Sequence, residues 1–257
     1  MEKNNHNLDI IDLAKFILSI FIMTIHIKTG LPTVVHDFLS NGIARVAVPF
    51  FFITSGYLYF KKKDSLTNKS ILKTLKRIFL FFLGWTIIYG IYFFFKQYIN
   101  VENPLVREWM FLRRHIFLNP YGHLWFLPAL MIGLTLSYIF YKLHLRITSY
   151  ITAILLYIIG VFGDTYYYLA IKNDYIKSFF DVYLHYFTNF RNGLFFGFAF
   201  ISLNQLFSKR TLQQLIFITL SSFITLYVEY FIVKENKLAK DHNMYFSLLI
   251  LAPSLFQ

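Results

Sequence analysis

Asp12, Lys15 and His26 stand in one apolar run, DLAKFILSIFIMTIH over residues 12–26. An acid, an amine and an imidazole can pair ions and move protons, chemistry that a lipid-facing segment does not need. Lys15 and His26 are eleven residues apart. In an α-helix that is three turns plus roughly 20°, so both project from one face, about 16 Å apart along the axis. Asp12 precedes Lys15 by three residues and can pair with it. A charge in hydrocarbon costs roughly 2.5–3.5 kcal/mol on insertion scales, so these groups should face protein or water. An imidazole with an ordinary pKa of about 6.5 suits general-base work. The simpler reading makes Asp12 and Lys15 a snorkelling pair at the headgroups and His26 an interfacial histidine.

Other spans carry polar groups at matching depth. Arg45 starts the second apolar run, Arg191 opens FRNGLFFG, His123 and Trp125 lie in GHLWFLPAL, and Glu229 sits near the end of a later run. Each alone reads as an interface anchor, and Trp125 as part of an aromatic belt. Together they would line a cavity at one end of a bundle.

The elements that must position them are membrane helices. The chain has 257 residues, 57% hydrophobic and only 15% charged, against about 25% charged in soluble domains. Thirty-two Phe and nineteen Tyr exceed what one soluble core of this size buries. No cysteine is present, which excludes disulfide and thiolate chemistry. The net charge of +12 is spread over short connections, which points to anionic lipid headgroups and cytoplasmic loops and argues against nucleic acid. The other histidines are scattered without ligand spacing, so no metal is expected.

A span takes about 20 apolar residues. Candidates lie at roughly 8–28, 39–60, 71–95, 124–142, 148–170, 187–207 and 212–233, with longer connections at 96–123 and 171–186. A final run from Met244, of about 14 residues, is too short to cross. The expectation is an all-α, polytopic transmembrane helix bundle of seven complete spans and a partial eighth. It forms one membrane domain over 1–257, cut short at its C-terminus. Lys61, Lys62, Lys63, Lys69, Lys73, Lys76 and Arg77 crowd one connection. That density puts it, and the N-terminus, on the cytoplasmic side of the cell membrane.

These residues resemble the integral-membrane acyltransferase 3 family. Its first-helix pattern is matched by Asp12, Lys15 and His26, and its second-helix pattern by Arg45, Pro49, Phe50, Phe51, Ser55 and Gly56. Its fourth-helix entry is similar to His123, Trp125 and Phe126, and a later segment to Arg191, Asn192 and Gly193. The chain also resembles the membrane halves of serine-racemase-type resistance proteins, without the racemase half. Two departures stand out. An Arg-x-x-Arg pair is replaced by Lys73-x-x-Lys76 and Arg77, and the family's fold has about ten helices.

The resemblance implies transfer of an acyl group, usually acetyl, from cytoplasmic acyl-CoA to a hydroxyl on an extracytoplasmic glycan or envelope acceptor. On that reading His26, Lys15 and Asp12 are catalytic, and Lys73, Lys76 and Arg77 attract the CoA phosphates. Arg45, His123, Trp125, Arg191 and Glu229 then serve the acceptor or an oxyanion. The competing reading is a carrier for a small amino acid such as serine, since buried ionisable groups also mark transporters. A third is a scaffold without activity.

Overall fold

The computed structural model describes residues 2–27, 30–61, 66–98 and 124–257. His123, most of the 96–123 connection, Lys62 and Lys63 lie outside the described residues. The described residues are helical, with no strand among them. Helices satisfy their own backbone groups, which is what lipid demands.

In chain order these are α1 (Glu2–His26), α2 (Thr33–Asn41), a 3-10 turn (Ile43–Val46), α3 (Ala47–Phe60), α4 (Asn68–Tyr98), α5 (Phe126–Lys142) and α6 (Arg146–Gly163). There follow a single turn α7 (Tyr167–Ala170), α8 (Asp174–Phe187), a π-helical turn (Gly193–Gly197) and α9 (Phe198–Ser202). A 3-10 turn (Leu203–Gln205), α10 (Leu212–Glu235) and α11 (Leu248–Phe256) complete the order. Among the described residues three stretches are long and apolar enough to cross a bilayer: Thr33–Phe60, Arg146–Gly163 and Leu212–Glu235. The first of these is not continuous, because the helix breaks at Gly42 between α2 and the 3-10 turn. α1 and α4 are long as well, at 25 and 31 residues.

The sequence pattern and the structure differ beyond the break at Gly42: the expected span 187–207 is divided into the π-turn, α9 and a 3-10 turn, and 148–170 and 171–186 depart as well. The stretch 148–170 reads as one span, yet α6 stops at Gly163. The Phe190 ring lies where a side chain at 163 would project, which only glycine allows, and past Asp164 the chain resumes as α7. The connection 171–186 reads as a loop but folds as α8. Asn173 starts it, its side-chain oxygen accepting from the backbone N–H of Tyr175 and Ile176 at 3.1 and 3.2 Å. Tyr175, Phe179, Val182 and Tyr186 form an exposed aromatic and apolar stripe, while Phe180 turns into the core.

The core is a cluster centred on α3, α5, α6, α9 and α11, with Phe52, Tyr157, Phe198, Phe200, Ile201 and Tyr245 fully enclosed. Lipid tails are as apolar as these side chains, so helices adhere through close backbone approach at small residues. Gly193 and Gly197 of the π-turn sit on α5, where added Cβ atoms would lie 2.6 and 2.9 Å from the Ala129 carbonyl oxygen. Gly133 of α5 approaches α9 in the same manner, its missing Cβ 2.8 Å from Ile201 Cδ1. These contacts fix the depth at which Arg191 enters the bundle.

Candidate active site

A cavity of about 320 Å³ opens at one end of the bundle. His26 from the last turn of α1, Arg45 from the 3-10 turn, Trp125 at the mouth of α5, Arg191 before the π-turn and Asn243 before α11 all line it. Ile22, Phe51, Phe126 and Phe196 form its apolar wall. Four residues singled out by sequence therefore meet here: His26, Arg45, Trp125 and Arg191. His26 is exposed at the mouth.

The two arginines are organised by a residue that the sequence did not single out. Arg45 Nη1 donates to Asn243 Oδ1 at 2.6 Å, and Arg191 Nη1 donates to the same oxygen at 2.7 Å. Both guanidinium groups can only donate, so the amide oxygen must face them. Asn243 Nδ2 then donates to Asp164 Oδ2 at 3.0 Å. Asp164 also accepts the backbone N–H of Asn243 at 2.8 Å and of Met244 at 3.2 Å. One buried carboxylate thus pins the turn that presents Asn243.

The cations of this cluster are joined through a neutral group. Arg45 and Arg191 share a neutral acceptor, and the nearest buried counter-charge, Asp164, stands behind it. Arg45 Nη2 donates to Asn41 Oδ1 at 2.8 Å, while its Nε is buried with no hydrogen-bond partner among the described residues. The Arg191 guanidinium carbon lies 4.5 Å from the centre of the Trp125 ring, a cation–π stack that holds it flat. Asp164 and, from the surface, Asp241 act on both guanidiniums, so the cavity presents two cations backed by carboxylates and one unmet donor, an arrangement suited to an anion or a developing oxyanion. Burial pushes the Asp164 carboxyl up to about 6, against hydrogen bonds from Asn243 that pull it down. His242 beside it is held below its ordinary value by burial and then by the Arg45 charge.

Asn192, next to Arg191, explains the local FRNG geometry. Its side-chain oxygen accepts from the backbone N–H of Leu194 and Phe195 at 2.9 and 3.2 Å, and its Nδ2 donates to Tyr183 Oη at 2.6 Å. The chain enters the π-turn under this cap, and Arg191 is left pointing across the cavity mouth toward Trp125.

The remaining predicted residues lie elsewhere. Lys15 Nζ pairs with Asp12 Oδ1 at 2.5 Å, with Asp12 68% and Lys15 31% exposed. Lys15 falls on the half-buried face of α1 with Leu18, Ile22 and Ile25, the face that leads to His26. Neither Asp12 nor Lys15 lines the cavity. Lys73, Lys76 and Arg77 are exposed on α4. Glu229 is buried in α10 and is not part of the cavity lining. Its carboxylate accepts the backbone N–H of Phe246 and Ser247 at 2.8 and 2.9 Å and the Tyr166 hydroxyl at 3.1 Å. It holds down the segment leading into α11. Among the described residues no group of three or more His, Cys, Asp or Glu could hold a metal ion.

Asn243 and Asp164 left faint traces in the sequence. Asp164 follows the glycine that ends an apolar run, and Asn243 ends the polar triplet Asp241-His242-Asn243 just before the final one. Neither trace says that the two segments meet.

Residues 8–257 match the family model described as an acyltransferase domain. The chain belongs to this acyltransferase family. It is also 31% identical over 199 residues, 73% of its length, to an amino-acid racemase of Enterococcus faecalis, and 29% identical over 223 residues, 83% of its length, to a serine/alanine racemase of Enterococcus gallinarum. It spans 26% and 31% of those relatives' lengths. No solved structure matches the chain. Family and helical architecture together make it a membrane acyltransferase domain.

Proposed function

We propose that the protein is an O-acyltransferase that takes an acyl group, acetyl in the simplest case, from cytoplasmic acyl-CoA and delivers it to a hydroxyl of an extracytoplasmic glycan or envelope acceptor. The observation that carries this reading is that His26 shares one cavity with the Arg45–Arg191 pair. His26 takes the proton of the acceptor hydroxyl as its oxygen attacks the thioester carbonyl. The new C–O bond places negative charge on the former carbonyl oxygen, where the two guanidiniums stabilise it. Collapse breaks the C–S bond, and the CoA thiolate recovers the proton from the imidazolium. In a two-step variant His26 itself accepts the acyl group and then passes it to the acceptor.

Lys15, held by Asp12, positions the donor lower on the same face of α1. Lys73, Lys76 and Arg77 attract the CoA phosphates as point charges. Acyl-CoA is a co-substrate, and the chemistry calls for no metal. The N-terminus and the lysine-rich connection before α4 lie on the cytoplasmic side, and the His26 cavity opens outside. The test is transfer of labelled acetyl from acetyl-CoA in sealed vesicles. Wild-type turnover in both His26→Ala and Lys15→Ala overturns the mechanism.

A second reading follows from the racemase names of the relatives. A domain attached to amino-acid chemistry could carry a small amino acid, its carboxylate bound by Arg45 and Arg191. Uptake of serine into vesicles without acyl-CoA would favour it, and CoA-dependent product would exclude it as the main activity.

A further inference from the structure

The far end of the bundle holds a second cleft. α3 contributes Val48 and Phe51 to the His26 cavity and Phe60 to the other, so the two are separated by about 14 Å of helix. α5 likewise contributes Phe126 to one and Ser137 to the other. The far cleft has two chambers. One, of about 300 Å³, lies among the ends of α3, α5 and α9 and the start of α6. The other, of about 500 Å³, shares Arg146 and Tyr150 with it and adds Ser208, Lys209 and Arg210.

The inner chamber carries an unusual hydroxyl chain. Ser149 Oγ donates to Ser202 Oγ at 3.2 Å, and Ser202 Oγ is 3.2 Å from Ser137 Oγ. Three serines from three helices meet inside an apolar bundle, and Ser137 and Ser149 are buried. The outer chamber is strongly basic. Arg146, Lys209 and Arg210 are exposed around it, and Arg146 Nε is braced on Tyr150 Oη at 2.9 Å. Cations at the rim and neutral hydroxyls within suit a ligand with a phosphate head and an uncharged polar arm. Lys73, Lys76 and Arg77 line neither chamber.

We propose that this cleft is a phosphate-binding site, with Arg146, Lys209 and Arg210 holding the phosphates that Lys73, Lys76 and Arg77 only attract from a distance, and the Ser137–Ser202–Ser149 chamber receiving the arm. On the acyl-transfer reading, on which the identity of the ligand rests, the ligand is acyl-CoA. It then enters at the end of the bundle opposite the acceptor cavity. The same phosphate chemistry is offered by an anionic lipid headgroup.

The experiment measures CoA binding to the purified chain in detergent, and binding of phosphatidylglycerol against phosphatidylcholine in nanodiscs. Arg146→Gln with Arg210→Gln changes exposed side chains only, and an unchanged thermal transition verifies folding. The double variant should bind CoA at least ten-fold more weakly, with wild-type binding weakening as salt rises. Lys73→Gln with Lys76→Gln should change it less than the Arg146 and Arg210 pair does. If wild type binds CoA and the double variant binds equally well, the site is overturned while the acyl-transfer reading stands. If CoA does not bind but phosphatidylglycerol binds through Arg146 and Arg210, the phosphate site stands and the CoA reading falls. If neither ligand distinguishes wild type from the double variant, the site is overturned. Should the double variant unfold, Ser202→Leu, which fills the chamber, must weaken CoA more than inorganic pyrophosphate; equal effects on both overturn the proposal.

Discussion

Arg45 and Arg191, from opposite halves of the chain, donate to the same atom, Asn243 Oδ1, at 2.6 and 2.7 Å. Asp164 and Asp241 offset part of the cost of two cations converging on one neutral oxygen, and an anion formed during the proposed reaction would offset more. Replacing either with lysine keeps a charge but loses the flat fork, and at 191 also the stack on Trp125. Arg191→Lys and Arg45→Lys should each lower acetyl transfer by roughly 10²–10³-fold, the usual loss for a transition-state donor. Turnover within a few-fold of wild type would remove the pair from the reaction.

Asn243→Ala removes the shared acceptor of Arg45 Nη1 and Arg191 Nη1 and the Nδ2 donor to Asp164 Oδ2 at once. Each buried group left without its partner costs about 1–3 kcal/mol. The variant should melt at a clearly lower temperature in detergent and lose transfer. A melting temperature equal to wild type would mean that the amide is dispensable.

Asp164 gives a pH dependence of definite direction. Its ordinary value is 3.8, and in the fold it lies at about 6. Between those values the folded protein keeps a proton that the unfolded chain has released, so stability falls as pH rises through that window and levels off above it. Activity runs the other way. The ionised carboxylate accepts more strongly from Asn243 Nδ2 than the protonated acid does, so on the proposed mechanism transfer should decline below about pH 6. Melting curves from pH 4 to 7 should show the stability slope in wild type and not in Asp164→Asn; identical slopes in both proteins would refute the assignment.

Gly193→Ala would place a methyl group 2.5 Å from Ile132 Cβ and 2.6 Å from the Ala129 carbonyl oxygen. Backbone cannot yield there cheaply, so the π-turn must lift from α5, carrying Arg191 away from Trp125. Overpacking of this kind costs about 1–3 kcal/mol. Loss of transfer with a lowered melting temperature is expected, and quenching of Trp125 fluorescence should change. Unaltered fluorescence would place the adjustment elsewhere.

Glu229→Gln separates support from chemistry. The glutamine oxygen can keep one of the two backbone donors, Phe246 or Ser247, but its amide meets the other. Stability should drop by about 1–3 kcal/mol. Turnover per folded molecule should hold, measured against the amount of protein that still melts cooperatively. A kinetic defect without a stability defect would return Glu229 to the reaction.

The helical character and the meeting of His26, Arg45, Trp125 and Arg191 were legible because each sits at the end of an apolar run, and run ends cluster at the same depth. Asn243 and Asp164 were not legible. Their pairing depends on where α6 ends and on how the segment before α11 folds back on it, a meeting of residues 79 apart in the chain. The role of Glu229 was hidden for a related reason. A carboxylate deep in an apolar run reads as functional whether its donors are substrate or, as here, backbone amides of another segment. α8 was missed because its 14 residues are too few and too polar to read as a span, although its apolar positions recur at helical spacing.

α1 carries His26 but is only lightly gripped. Leu13, Phe16, Ile20 and Met23 along it are exposed, while the arginine pair is locked within the bundle. The gap between imidazole and guanidiniums is therefore set in part by how steeply one lipid-bathed helix leans. Hydrophobic mismatch changes that lean. On the proposed mechanism, acyl-chain length in the surrounding bilayer becomes a tuning variable for transfer, with a thickness at which imidazole and guanidiniums come into register.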